Sequence, residues 1–214
     1  MSIGYACLNI GTPDTNIRSV MQRNATPEKL TEVTAHNLAA LEKMVDYNRK
    51  NNIQLFRISS DLIPFGSSPV NALPWWDIHA EAFQHIGAKI RKSGMRVSFH
   101  PGQYTVLNSP DEDVVARAIL DLAYHAKMLE YLGVDNKNKI VLHVGGIYGD
   151  KKEALQRFEQ NFRRLPEAVR NRLIIENDDR LYNIEEVLEL AHRLQIPAVY
   201  DNLHHAINPP PSRG

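Results

Sequence analysis

Short apolar runs alternate along the chain with longer segments whose apolar residues recur every three or four positions. The runs fall at residues 3–9, 53–59, 96–100, 139–143, 172–176 and 197–201. Each is five to seven residues long by its bounds, which suits strands better than helices. Between the first two runs, Thr26-Pro27-Glu28 has the signature of a helix start, with Thr as N-cap and Pro at the first helical position. Leu30, Val33, Leu38, Leu41 and Val45 follow at helical spacing, and Asn51-Asn52 closes the segment. Pro64, Gly66, Ser67, Ser68, Pro69 and Pro74 mark a long loop. A helix is predicted over 75–93, with Ile78, Ala82, Ile86 and Ile90 on one face and Gly94 as its stop. Ser109-Pro110-Asp111-Glu112 reads as a capping box opening a helix to about Leu132, which Gly133 ends. Asp150 to Glu153 opens the next helix, with a break near Pro166, and Asn183 to Glu186 opens another that ends near Leu194.

The strands are too uniformly apolar to have a wet face, so they belong to a parallel sheet covered by helices. The repeated βα order leaves an open doubly wound sheet and a TIM-type (β/α)8 barrel. After the first strand, Asn9-Ile10-Gly11-Thr12-Pro13 lacks the spacing of a dinucleotide-binding turn. The barrel is therefore favoured, with only six of its eight βα units in this chain and one domain over 1–214.

With 43% of its 214 residues hydrophobic, the chain can build one sizeable core. No apolar run of about 18 residues occurs, so no membrane-spanning helix is expected. The N-terminus lacks the basic-then-apolar pattern of a secretory signal. The lone Cys7 rules out an internal disulfide framework and fits a reducing, cytoplasmic setting; within its apolar run it reads as a small core residue. Lys+Arg and Asp+Glu balance at 25 each, which argues against a broad basic coat for nucleic acid but not against a local charged cleft.

What changes the picture is the residue at the end of each run: Asn9, Ser59, His100, His143, Glu176 and Asp201, with His204 three positions later. In parallel βα folds the strand C-termini share one face, where active sites lie. Imidazoles and carboxylates converging there suit a divalent transition metal such as Mn, Zn or Fe, and a carboxylate can bridge two or three ions. His100, His143, Glu176, Asp201 and His204 are thus the metal-ligand candidates. His205, beside His204, reads as a supporting residue. Pro101 and Gly102 turn the chain after His100 and set Gln103 and Tyr104 at a loop tip.

Six stretches carry a resemblance in order along the whole chain: residues 5–9, 56–64, 98–104, 142–146, 176–178 and 200–205. They resemble the UV damage endonuclease family. The resemblance implies a TIM barrel akin to the endonuclease IV type of apurinic endonuclease, and a repair enzyme that nicks DNA 5′ of UV photoproducts. It implies a cluster of two or three divalent ions, manganese among them, held by His100, His143, Glu176, Asp201 and His204. His100, His143 and Glu176 then serve catalysis through those ions. Gln103 and Tyr104 match residues that push into the duplex at the lesion. Tyr5 and Asn9 match positions lining the damaged-DNA site. The implied partner is damaged double-stranded DNA, bound by a monomer.

Two departures stand out. The family places a histidine where this chain has Ser68, and it continues through two further strands that bring more ligands to the ions. A metal-dependent sugar isomerase on the same barrel plan, and a damaged-DNA-binding module without catalysis, are the competing readings. The Gln103-Tyr104 tip and the stretch at 56–60 favour the nuclease.

Overall fold

The computed structural model describes residues 2–211. It contains six parallel strands in chain order β1-β2-β3-β4-β5-β6, with helices in the connections. The chain divides into two compact units, one of residues 1–100 and 124–139, the other of residues 101–123 and 140–214.

In the first unit β1 (Gly4–Ala6), β2 (Leu55–Arg57) and β3 (Arg96–Phe99) pair in parallel, Tyr5 opposite Phe56 and Phe56 opposite Val97. Helix α1 (Pro27–Lys50) begins as predicted, the Thr26 hydroxyl accepting the Lys29 N–H at 3.2 Å. Its predicted apolar face is buried in full: Leu30, Val33, Leu38, Leu41 and Val45 are at most 3% exposed. The helix expected over 75–93 is instead two, α2 (Trp75–Ile78) and α3 (Ala80–Ser93), joined at His79. The break lets Trp75 enter the core against Phe83 and Tyr124, and leaves Ile78 outside it at 45% exposure. Gly94 stops α3 in a left-handed conformation, as expected.

β1 is shorter than its apolar run because Cys7 takes a positive φ of 59° and turns the chain, its N–H donating to Arg57 O. Cys7 is therefore half-buried at a turn rather than a core residue, and burial still pushes its thiol pKa up.

Helix α4 (Glu112–Tyr131) starts two residues later than its predicted box. The Asp111 carboxylate, not the Ser109 hydroxyl, accepts the N–H groups of Asp113 and Val114. A carboxylate is the stronger partner for a helix N-terminus. In the second unit β4 (Lys139–His143), β5 (Leu173–Glu176) and β6 (Ala198–Val199) pair in parallel. Between them lie α5 (Lys151–Arg164), capped by Asp150, then α6 (Glu167–Arg170) and α7 (Ile184–Leu194). The Asn183–Glu186 capping box has both of its bonds. The short α8 (Asn202–Ile207) follows β6 and buries none of its residues. Every residue of β5 is buried, the signature of a strand covered on both faces.

Candidate metal centre

The register of the second unit fixes the start of the site. His143, last in β4, stands opposite Glu176, last in β5, and Glu176 stands opposite Val199 in β6. Parallel pairing delivers these ends to one level without any further device. His143 Nε2 lies 3.6 Å from Glu176 Oε2, and the Glu176 side chain is 5% exposed. A buried carboxylate is costly unless positive charge or donors face it. Within the second unit an imidazole and a carboxylate therefore face one another at the strand ends. Imidazole nitrogen and carboxylate oxygen are donors that first-row divalent metals take, so these residues fit such an ion.

His204 and Asp201 stand beside this group rather than in it. The His204 ring tilts against His143 with centroids 5.5 Å apart. Its Nδ1 lies 2.8 Å from the backbone oxygen of Asn177. A carbonyl only accepts, so in the neutral ring Nδ1 carries the hydrogen and Nε2 keeps its lone pair, the arrangement a metal ligand needs. Asp201 caps α8: its Oδ1 accepts the N–H groups of Leu203 and His204 at 2.8 and 2.9 Å, while Oδ2 lies 3.7 Å from His204 Nδ1. His205 turns instead toward Tyr200, ring centroids 5.2 Å apart.

The loop after His100 shows its tip to solvent. Gln103 is exposed and Tyr104 is 72% exposed. Beneath them Thr105 is buried; its N–H closes a turn onto Gly102 O, and its hydroxyl donates to Asp121 Oδ2 at 2.7 Å. At the other end of the sequence Tyr5 rests on Phe56, centroids 5.0 Å apart, and its hydroxyl accepts from Asn9 Nδ2 at 3.4 Å. Burial raises the pKa of that phenol. Ser68 belongs to a turn, its N–H donating to Phe65 O and its hydroxyl accepting from Val70 N–H.

Three residues to which sequence reasoning gave no role brace the site. Asn108 Nδ2 and Tyr182 Oη both donate to Gly146 O, at 2.7 and 3.0 Å, just past His143. Burial pushes the Tyr182 phenol up to about 12. Gly145 takes φ +108°, and a Cβ there would stand 2.4 Å from Asn108 Oδ1. The third, Asn177, bonds to Asp201 through its side chain. The sequence signals for them are the Gly145-Gly146 pair, which promises a close backbone approach, and the stretch 176–178, which contains Asn177.

Parallel βα units with histidines and carboxylates at their strand ends define an α/β protein of the barrel class with candidate metal ligands on it. The chain belongs to the UV-endonuclease UvdE family, which matches residues 2–213. It is 44% identical over 205 residues to the UV DNA damage endonuclease of Clostridium perfringens, a match covering 96% of this chain and 50% of that protein. The crystal structure of SacUVDE superposes with a TM-score of 0.95 at 37% identity, over 99% of this chain and 73% of that one. Endonuclease IV from Thermus thermophilus shares the fold at a TM-score of 0.53 and 20% identity, over 77% of this chain and 58% of that one. The fold is thus α/β of the TIM-barrel type, with six parallel strands. The chain spans 50% to 59% of the length of curated relatives that it matches. No helix among the described residues is long and apolar enough to cross a membrane.

Proposed function

We propose that this chain forms the endonuclease domain of a DNA repair enzyme that nicks the phosphodiester bond 5′ of UV photoproducts. The observation that carries the reading is His143 facing the buried Glu176 at 3.6 Å in a chain 44% identical to a UV DNA damage endonuclease. In this reading His100, His143 and Glu176, with Asp201 and His204, hold divalent ions, manganese being the proposed species. Such ions, when bound, supply a lowered pKa for water and positive charge for the phosphate oxygens. The protein's own contribution is placement. The buried Glu176 supplies fixed negative charge, and the carbonyl of Asn177 holds the His204 ring so that Nε2 faces outward from that bond.

Selection of damage is assigned to the loop tip. A lesion step is poorly stacked, so opening it costs less than opening sound duplex. Tyr104, exposed on its anchored turn, is placed to stack into the gap, with Gln103 offering hydrogen bonds to the bases opposite. Tyr5 and Asn9 line the damaged strand. A monomer in the cytoplasm is the proposed working form.

The test is direct. The protein is incubated with Mn²⁺ and a labelled duplex, irradiated or not, and separately with aldoses. A nick on irradiated duplex alone, lost in His143→Ala, supports the reading. Aldose conversion would move the protein to the isomerases, and retention of irradiated duplex with no nick would make it a binding module.

A further inference from the structure

Asn177 follows β5 directly and its side chain is fully enclosed, at 0% exposure. The β5–β6 pairing ends at Glu176 opposite Val199. Beyond that point the Asn177 side chain continues the job of the ladder. Its Nδ2 donates to Asp201 O at 3.0 Å and its Oδ1 accepts from Asp201 N–H at 2.9 Å. One side-chain amide thus satisfies both polar groups of a single residue, as a paired strand would. The backbone oxygen of Asn177 meets His204 Nδ1, and the next carbonyl, that of Asp178, accepts from Asn208 Nδ2 at 3.1 Å. No residue of α8 is fully buried, so these polar bonds contribute to holding it in place.

We propose that Asn177 is a positioning residue for the ion site. Its amide sets where Asp201 stands and, through the cap Asp201 makes on α8, where His204 stands beside His143. This rests on the metal reading given above. The chemistry is specific to asparagine. Aspartate keeps the acceptor for Asp201 N–H but sets an oxygen against Asp201 O. Leucine, of similar shape, keeps neither bond. Glutamine carries the same amide one carbon too far out.

Asn177→Leu and Asn177→Asp are compared with His143→Ala, which removes a ligand, and Asn208→Ala, which removes the far tether of α8 only. Mn²⁺ affinity is read by calorimetry. On metal-free protein, the ¹⁵N shifts of the His204 ring report its tautomer, and the circular dichroism melt reports folding. Both Asn177 variants should weaken Mn²⁺ roughly 10–100-fold, the range for residues that orient ligands, with N177D available should N177L not fold. The His204 ring should move to a mixture of tautomers without metal. N208A should change Mn²⁺ affinity less than threefold. Unchanged His204 shifts in a folded Asn177 variant, or Mn²⁺ affinity within twofold of the parent, overturns the proposal. Should His143→Ala leave Mn²⁺ binding intact, the metal reading falls separately, and the metal-free shifts still decide what Asn177 does.

Discussion

Replacing Gly145 by alanine tests whether the loop after β4 is built as described. Two costs arise. At φ +108° an L-residue sits outside its allowed regions, which costs on the order of 1–3 kcal/mol. The new Cβ would also stand 2.4 Å from Asn108 Oδ1, so the Asn108 side chain must withdraw and give up its bond to Gly146 O, worth about 1 kcal/mol. Together the two come to roughly 2–4 kcal/mol, or a melting temperature lower by roughly 4–16 °C for a chain of this size. Gly149→Ala is the matched control. It too sits at positive φ, +86°, but its Cβ would meet nothing within 4 Å, so only the backbone cost applies. Urea unfolding with calorimetry should therefore rank G145A below G149A by about 1 kcal/mol. Equal stabilities would refute the Asn108 contact as an energetic element, and a G145A variant as stable as the parent would refute the strained turn altogether.

The remaining expectations concern the site and its braces. Tyr104→Ala should leave unfolding within about 0.5 kcal/mol of the parent, because the side chain is 72% exposed, while erasing the preference for irradiated over undamaged duplex in a gel-shift competition; a retained preference would remove the wedge role. Glu176→Gln should cost at least about tenfold in Mn²⁺ affinity read by calorimetry; an affinity within threefold of the parent would contradict its ligand role. The Tyr182 phenol has its folded pKa raised from 10.0 to about 12. Its contribution to stability is thus complete below pH about 10 and fades as the pH climbs through about 12, a loss of up to about 3 kcal/mol. Tyr182→Phe should flatten that alkaline slope in unfolding curves between pH 9 and 12, and an unchanged slope would place the titrating group elsewhere.

The strand-end residues were legible because a short apolar run that stops at His or Glu names both its element and its last side chain. His143 and Glu176 emerge from that pattern and stand opposite one another at the ends of β4 and β5. Caps made within four residues, at Thr26, Asp150 and Asn183, were equally plain. What stayed hidden depends on partners distant in sequence. The amide of Asn177 has meaning only beside Asp201, 24 positions on, and Gly145 only against Asn108. The break at His79 has no local breaker residue; it follows from where Trp75 finds its aromatic neighbours. Cys7 misled because its run is apolar while its backbone turns. At the start of α4 two cap-forming residues compete, and spacing alone does not choose between Ser109 and Asp111.

Helix α8, tied down at a few points and with none of its residues fully buried, is expected to be the softest part of its unit. Sub-global opening of this kind requires far less free energy than melting the sheet. Amide protons of 202–207 should accordingly swap for deuterium long before those of β4 and β5, and a protease should nick there first. Any cation that enlists His204 would then slow both processes, giving an observer a gauge of occupancy that needs no nucleic acid at all.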